Sequence, residues 1–354
     1  MSDKIRIGFV GCGYMGQKAH LDNYVTIPGC EVVALAEGRA ETAAMVARKY
    51  DIPQVYGTHH ELLEKADVDA VVAIMGYGLH RSVVVDILAA GKPCLTEKPI
   101  CIGAENAQVL VDTASKSGAL YYVGYMKRST PAARMAVERI KEWKTSGQAG
   151  KMKYLRASMP PGDWTMSIEG PIGAGDAAPP YEGVTWEGMP SWMPEDIANI
   201  YNAFVNYYIH QVNLIRYLLG EDYEITWADP TGAVLGGLSE SGVPIVLEMQ
   251  GYGMKDSWEE TYRVVFDNGK IDLSIPSPMQ RQNGGEVEFL LNSCERPAYE
   301  KTVVPPHWAF LEQARHYIAC LQGNETSRAP MQDAVKDLQV AEQYARLLQA
   351  ARGG

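Results

Sequence analysis

Three short stretches of this 354-residue chain carry side chains suited to chemistry on a small polar molecule. A glycine-rich turn lies at residues 11–16, and the segment Glu-Lys-Pro at 97–99 follows an apolar run. A row of polar side chains, which includes His210, lies in the second half. Phosphate binding, polarisation of an oxygen and proton transfer are the chemistries that such residues perform.

The glycine-rich turn, within GFVGCGYMGQKAH, lies between an apolar strand-like run and a helical pattern. Gly11 permits the tight turn, Gly13 lets the backbone approach a pyrophosphate, and Gly16 lets the helix pack closely on the strand. The helix N-terminus offers free N–H groups to phosphate. We therefore expect Gly11, Gly13 and Gly16, with the intervening Tyr14 and Met15, to bind a dinucleotide.

Glu37 ends the second apolar run, at the distance from the glycines where an acid binds the ribose hydroxyls of a dinucleotide. A carboxylate there repels a 2′-phosphate, which favours NAD over NADP. Arg39 leaves NADP open as an alternative, because a nearby guanidinium can accommodate that phosphate. We predict NAD as the cofactor, with Glu37 and Arg39 among its binding residues.

The first third of the chain alternates apolar runs with helical patterns. The runs at 5–10, 31–36, 70–75 and 120–123 are apolar almost throughout, as expected of strands that are buried on both faces. Such alternation predicts an α/β Rossmann domain, a doubly wound parallel sheet, over residues 1–125.

Lys98 stands at the carboxyl end of a further predicted strand. In open α/β sheets ligands bind outside the carboxyl ends of the strands, so Lys98 should project towards the nicotinamide end of the cofactor. Glu97 and Lys98 are therefore predicted to border the cofactor.

Several motifs resemble the glucose–fructose oxidoreductase/inositol dehydrogenase (Gfo/Idh/MocA) family. They are GFVGCGYMG, AGKPCLTEKPI, YYVGYMKR and IHQVNLIRYLLG, with AFLEQARHYIACLQG as a looser match. The resemblance covers most of the chain except about 158–200. It implies that Lys98 lies beside the reacting hydroxyl. Met75-Gly76 departs from the Thr-Pro that the family often carries.

The helical pattern from about 199 to 219 places five polar residues on one stripe at spacings of three or four. Such polar groups are costly to bury unless they meet ligands or partners. The stripe consists of Asn199, Asn202, Asn206, His210 and Asn213.

The resemblance implies that His210 is the catalytic histidine, a candidate base for a sugar hydroxyl. Asn206 stands where the family often has aspartate; its amide can orient the ring but cannot stabilise imidazolium by charge. His210 should therefore be a weaker base than is usual. Tyr207 either assists at the substrate or packs in the interior.

The pattern changes after residue 125. Strand-like runs at 152–158, 243–250, 260–266, 270–274 and 286–291, with Asn-Gly between two of them, predict an open, largely antiparallel sheet. We predict a substrate and oligomerisation α+β domain at 126–330. A final helix at 331–354 should pack back on the first domain.

The stretch 158–200 is irregular in pattern and rich in aromatic residues. Trp164 is a candidate for contact with a sugar face; a loop folded on its own hydrophobic cluster, or a subunit contact, is the alternative. Lys127 and Arg128 are candidates for an anionic substrate group, or else a solvated basic pair.

Composition narrows the function classes. The net charge of -11 disfavours nucleic acid and an anionic membrane surface, and no apolar stretch reaches the length of a membrane helix. Six cysteines without metal-site spacing read as reduced thiols in a cytoplasmic protein, and no metal is expected.

The residues and the resemblance together predict a NAD-dependent oxidoreductase. It takes hydride from a secondary hydroxyl of a sugar or cyclitol and forms a homo-oligomer through the sheet of its second domain. One alternative is a NAD-dependent glycosidase, which oxidises a sugar transiently and re-reduces it; an acidic sugar such as a uronate or sulfosugar is its candidate substrate. Another is a dinucleotide-binding regulator without turnover.

Overall fold

The computed structural model describes residues 4–166, 168–181, 183–251, 257–292 and 297–353. Internal contacts divide the chain into two units, and the first consists of Met1–Tyr125, Glu169–Trp192 and Gln313–Leu338. The second consists of Met126–Ile168, Met193–Glu312 and Gln339–Gly354. Part of the irregular stretch therefore belongs to the first unit, which the sequence did not suggest.

The first unit contains a six-stranded sheet in the order β3-β2-β1-β4-β5-β6, parallel in every pair. The order reverses beside β1, which creates the crevice where doubly wound sheets bind ligands. The predicted Rossmann architecture is confirmed. Its strands are β1 (Ile5–Val10), β2 (Cys30–Ala36), β3 (Gln54–Tyr56), β4 (Ala70–Ala73), β5 (Cys94–Glu97) and β6 (Tyr121–Gly124).

Helices connect these strands, as parallel pairing requires. A π-helical stretch at Gly16–Leu21 follows the glycine turn, and short 3-10 turns lie at Tyr77–Leu79 and Met126–Ser129. The α-helices up to the end of β6 are α1 (Asp22–Tyr24), α2 (Ala40–Tyr50), α3 (His59–Lys65), α4 (His80–Ala89) and α5 (Ala104–Ser117).

The second unit contains an eight-stranded sheet in the order β14-β13-β12-β11-β7-β10-β9-β8. Only the pair of β10 and β7 is parallel among the pairs described, so the sheet is largely antiparallel, as predicted. The strands are β7 (Met152–Ser158), β8 (Tyr223–Ala228), β9 (Val234–Ser239), β10 (Pro244–Glu248), β11 (Thr261–Phe266), β12 (Gly269–Ser274), β13 (Glu286–Asn292) and β14 (Pro297–Lys301).

The helices of the later part differ from the prediction at one place. The single helix expected over 199–219 is two helices, because Tyr208 interrupts it at φ -90° and ψ -6°. The helices are α6 (Pro131–Ser146), α7 (Glu195–Tyr207), α8 (Ile209–Leu219), α9 (Ala309–Leu321) and α10 (Met331–Ala351). None of the helices in the described part of the chain is long and apolar enough to cross a membrane.

Candidate active site

The glycine turn after β1 forms the floor of a cavity of about 290 Å³ in the first unit. Gly11 has φ +85°, and a Cβ there would lie 2.3 Å from the carbonyl oxygen of Ile74. A Cβ at Gly13 would meet no atom within 4 Å, so the backbone is open to a ligand on this side. Tyr14 and Met15 are partly exposed beside it. This geometry fits a pyrophosphate against the turn and the following helical N–H groups.

Glu37 lines the same cavity, and its carboxylate accepts hydrogen bonds from Cys12 and Arg39. The backbone N–H of Cys12 donates to Oε2 at 3.0 Å, and the Arg39 guanidinium donates to Oε1 at 2.9 Å and to Oε2 at 2.7 Å. Burial would raise the pKa of Glu37, but these hydrogen bonds lower it to about 2. The carboxylate is therefore ionised at the cavity, while Arg39 is engaged with Glu37; the contact of Glu37 with ribose hydroxyls stays a prediction. This arrangement favours NAD over NADP.

Replacing Glu37 with alanine should weaken NAD binding by about 10- to 100-fold, since hydrogen bonds to a charged group contribute about 1.5–3 kcal/mol. The preference against NADP should shrink, because Arg39 is released for a 2′-phosphate. Fluorescence titration with NADH and NADPH measures both effects. The matched control is Glu31→Ala, because Glu31 is exposed on β2, the strand that precedes Glu37. An unchanged affinity for NADH in the Glu37 variant would contradict the assignment.

The Glu97-Lys98-Pro99 segment ends β5 in the same unit. Glu97 is buried, and its Oε1 lies 2.9 Å from Nε2 of His20, so it is fixed from the helical stretch that follows the glycine turn. Lys98 is partly buried, and the Lys98-Pro99 peptide bond is cis. The structure thus brings the lysine to the carboxyl end of β5, two strands from the glycine turn.

His80 is a residue of this region that the sequence did not point to. It is fully buried at the start of α4, and its Nδ1 lies 3.1 Å from the carbonyl oxygens of both Pro99 and Ile100. Carbonyls only accept, so Nδ1 carries the proton and donates to them. His80 therefore holds the chain that follows Lys98. A lone histidine within an apolar pattern gives no such signal.

Burial lowers the pKa of His80 to about 4. The unfolded chain then binds more protons than the folded one below about pH 6.5, so stability should fall as the pH drops from about 6.5 towards about 4. The full effect is about 3 kcal/mol, from 1.36 kcal/mol per pKa unit. Urea unfolding at several pH values should show a shallower pH dependence for His80→Asn, whose amide still donates to the carbonyls. The control is His307→Asn at an exposed histidine, which should keep the wild-type pH dependence of the free energy of unfolding. The same pH dependence in wild type and His80→Asn would contradict the prediction.

The predicted polar stripe of the second unit is divided by the interruption at Tyr208. Asn206 is exposed near the end of α7, whereas His210 is partly buried in the first turn of α8. Their roles at the substrate stay predictions. The hydroxyl group of Tyr207 lies 3.4 Å from the backbone of Gly162, and Trp164 is exposed nearby in sequence.

Lys127 lies in the interior of the second unit, so it does not belong to a solvated basic pair. Its Nζ forms an ion pair with Glu260, which also accepts from Gln211 at 2.8 Å and from the Tyr262 hydroxyl at 2.6 Å. The ring of Trp258 lies 5.4 Å from the same ammonium. Burial lowers the pKa of Lys127 while Glu260 acts in the opposite direction. The solvated-pair alternative is therefore wrong for Lys127, because its ammonium is paired inside the unit with a residue far along the chain; contact with an anionic substrate group stays a prediction.

Arg128 is buried as well, so the basic pair is not solvated. Its Nε donates to Oδ1 of Asn213 at 2.6 Å, and an Nη donates to the backbone carbonyl of the same residue at 3.2 Å. The guanidinium lies 4.9 Å from the ring of Tyr217. One member of the polar stripe, Asn213, is thereby explained as an internal partner.

Among the described residues, one group of three side chains has the geometry for a metal ion: His59, His60 and Asp86, with ligand atoms within 4.8 Å of one another. His59 already contacts Asp86 and Tyr181 through its two ring nitrogens. The five described cysteines are free, and Cys294 lies outside the described residues.

Comparison with known proteins identifies the class to which this fold and cavity belong. The model of the Gfo/Idh/MocA oxidoreductase family, an NAD-binding Rossmann fold, matches residues 5–125. The matched residues carry the NAD-binding Rossmann domain of this family, and the protein is an oxidoreductase that uses NAD.

Similar proteins include a scyllo-inositol 2-dehydrogenase (NAD(+)) of Bacillus subtilis, 24% identical over 96% of this chain and 93% of its own length. An inositol 2-dehydrogenase of Burkholderia cenocepacia is 28% identical over 62% of this chain and 56% of its own.

Two solved structures share the fold. Scyllo-inositol dehydrogenase from Lactobacillus casei in its apo form has a TM-score of 0.70 at 17% identity, covering 98% of this chain and 97% of its own. Levoglucosan dehydrogenase in complex with NADH and levoglucosan has a TM-score of 0.72 at 17% identity, covering 99% and 98%.

Proposed function

We propose that this protein oxidises a secondary hydroxyl group of a cyclitol or sugar and passes the hydride to NAD. The observation that carries the proposal is the position of Lys98. It directly follows β5 in the unit that holds the dinucleotide cavity, at the carboxyl ends of the strands, where ligands of such folds bind. An ammonium group at this end of the sheet can donate a hydrogen bond to the hydroxyl oxygen of a substrate whose carbon faces the cofactor.

The mechanism assigns one task to each residue. Lys98 donates a hydrogen bond to the reacting oxygen and stabilises the alkoxide that develops. His210 accepts the hydroxyl proton, and Asn206 orients its ring through the side-chain amide. NAD, when bound along the glycine turn and Glu37, would supply the hydride-acceptor chemistry that this carbon requires. The products are a ketone, reduced cofactor and a protonated histidine, so atoms and charges balance.

The names of the relatives favour a cyclitol as the first substrate class to test. The Bacillus subtilis and Burkholderia cenocepacia proteins are both named as inositol 2-dehydrogenases. Trp164 is exposed in the second unit and is proposed to contact the apolar face of a ring substrate. Lys127 and Arg128 enter no step, because both are buried and engaged with internal partners.

The redox-neutral glycosidase is not favoured. The relatives and solved structures named above are dehydrogenases, and none of them supports a glycosidase. A regulator without turnover fits less well too, since residues 5–125 match an oxidoreductase family and Lys98 follows β5 at the carboxyl ends of the strands.

The test is an assay with NAD and a panel of inositols, free sugars and aryl glycosides. Reduced nicotinamide and released phenol are followed in the same wells. Reduced cofactor that accumulates with an inositol or free sugar supports the proposal. Phenol release that requires NAD without accumulation of NADH would replace it with the glycosidase, and neither signal would remove both.

We further propose a cytoplasmic homo-oligomer that associates through the eight-stranded sheet. Ion pairs on this sheet, such as Arg156 with Glu248 and Arg263 with Asp272, offer polar groups to a second copy. Light scattering on the purified protein gives its molar mass, and a monomer at micromolar concentration would contradict the association.

A further inference from the structure

Residues 172–181 and 183–187, here called the strap, cross the first unit without forming a helix or a strand. The strap belongs to the stretch for which sugar contact, self-packing or a subunit contact had been expected. Its described contacts within the unit include four groups, here called anchors, with elements around the dinucleotide cavity.

The first anchor joins the strap to the helical stretch after the glycine turn. The backbone N–H of Ile172 donates to Oε1 of Gln17 at 3.0 Å, and Nε2 of Gln17 donates back to the Ile172 carbonyl at 2.9 Å. The same Nε2 donates to the carbonyl of Cys12 at 2.8 Å. Gln17 is buried, so this amide links the strap directly to the phosphate-binding turn.

The second anchor is a helix cap supplied from outside the helix. The residue before α2, Arg39, makes no side-chain capping hydrogen bond. Oδ2 of Asp176 accepts from the backbone N–H groups of Glu41 and Thr42 at 2.9 and 3.3 Å. The strap thereby satisfies donors that a helix start leaves unpaired, and its charge suits the positive end of the helix dipole.

The third anchor is a chain of hydrogen bonds through a buried histidine. Nε2 of His59 lies 2.9 Å from Oδ2 of Asp86, and Nδ1 lies 2.5 Å from the hydroxyl oxygen of Tyr181. Burial lowers the pKa of His59, which favours the neutral ring. The carboxylate only accepts, so Nε2 carries the proton and Nδ1 accepts from Tyr181. The backbone N–H of His59 also donates to the Tyr181 oxygen at 3.0 Å.

The fourth anchor covers the turn after β4. The indole of Trp186 lies so close to Gly78 that a Cβ there would be 2.3 Å from a ring atom. The backbone N–H of Glu187 donates to the Gly78 carbonyl at 2.7 Å, and its Oε1 accepts from the N–H of Gly103 at 2.8 Å. The same contact explains the glycine at position 76, since a Cβ there would lie 2.9 Å from the ring of Trp186. The departure at Met75-Gly76 thus makes room for the strap.

Between its second and fourth anchors the strap lines the dinucleotide cavity. Residues 178–181, Ala-Pro-Pro-Tyr, face the same space as Gly13, Glu37 and Arg39. If Glu37 binds the ribose, the apolar wall of residues 178–181 beside it lies at the position expected for the adenine ring. Two consecutive prolines give this wall little conformational freedom to lose when a ligand binds.

We propose that the strap completes the adenosine half of the NAD site and limits the rate at which the cofactor leaves. The adenosine moiety is enclosed between the Ala-Pro-Pro-Tyr wall and the glycine turn, and its release requires anchors to open. Tyr181 and Asp176 are positioning residues of this wall, which they hold in place through His59 and α2. The inference rests on NAD binding and does not depend on the identity of the substrate.

The test measures NADH release without any sugar or cyclitol. Purified protein loaded with NADH is mixed with excess NAD in a stopped-flow fluorimeter, and the decay of NADH fluorescence gives the dissociation rate constant. Tyr181→Phe, which removes one hydroxyl group, and Asp176→Ala, which removes the cap, should each release NADH at least about tenfold faster, since each change removes more than one anchor hydrogen bond and a single one worth about 1.4 kcal/mol predicts a tenfold effect. The association rate constant should stay the same or rise, because the entrance opens more easily.

Two exposed changes serve as matched controls: Tyr299→Phe on β14 and Asp112→Ala on α5, both expected to release NADH at the wild-type rate. Release from both strap variants within twofold of wild type would overturn the proposal. If a variant fails to fold, hydrogen exchange of the wild-type protein decides: NAD should slow exchange in peptides from 172–187, and unchanged exchange would overturn it. A protein that turns over no inositol or sugar can still pass these tests, so the two proposals fail separately.

Discussion

Replacing Lys98 with alanine is expected to lower kcat by about 100- to 1,000-fold, the usual cost of removing a donor that stabilises a developing oxyanion. NADH binding should persist, because the glycine turn and Glu37 that form the cavity lie elsewhere in the unit. Initial rates with NAD and the best substrate of the panel, together with fluorescence titration of NADH, measure the two quantities.

Two further variants sharpen this prediction. Lys116→Ala removes an exposed lysine from the last turn of α5 and should leave both quantities at their wild-type values. Lys98→Arg keeps the charge but not the compact ammonium, so it should recover only part of the rate. A Lys98→Ala enzyme with wild-type kcat would remove Lys98 from the mechanism.

Changing Glu260 to glutamine should lower the free energy of unfolding by about 3–5 kcal/mol, because the ammonium of Lys127 is left buried without its counter-charge. Glu260 is 1% exposed, and three side chains converge on it: Lys127, Gln211 and Tyr262. Urea unfolding followed by tryptophan fluorescence is a suitable measurement, since Trp258 lies beside the ion pair.

The matched control is Glu248→Gln, which removes the carboxylate of an exposed ion pair with Arg156 and should change stability little. The double variant Lys127→Met/Glu260→Leu should be more stable than Glu260→Gln alone, because no unpaired charge remains inside. Equal losses from Glu260→Gln and Glu248→Gln would contradict the account of Lys127 as an internal partner.

The parts of the predicted cofactor site could be placed in the fold from the sequence because they are local. The glycine turn joins β1 to the next helical stretch, and Glu37 directly follows β2, so spacing along the chain fixes their spatial relation. The same holds for Lys98, which needs only the apolar run before it to be placed at the end of β5. The hairpin between β11 and β12 was likewise predicted from Asn268-Gly269, whose turn chemistry is local.

The second unit shows why other predictions differed from the structure. Lys127 and Arg128 look like a solvated pair or an anion site in sequence, but Glu260 and Asn213 occupy their charged groups inside the fold. A charged side chain can be buried when a partner satisfies its charge, and here each partner lies far along the chain, so the local sequence does not show the burial. The interruption at Tyr208 was also not predictable from the local sequence, because the helical pattern continues through this residue.

The sequence by itself determined the Rossmann fold, the preference for NAD and the position of Lys98, because each follows from short-range order in strand, turn and helix. Tertiary structure decided how the irregular stretch is used. Gln17, Thr42, His59 and Gly78 are unremarkable in sequence, yet they hold the strap over the dinucleotide cavity. These contacts join segments distant along the chain, and only the folded unit brings them within hydrogen-bonding distance.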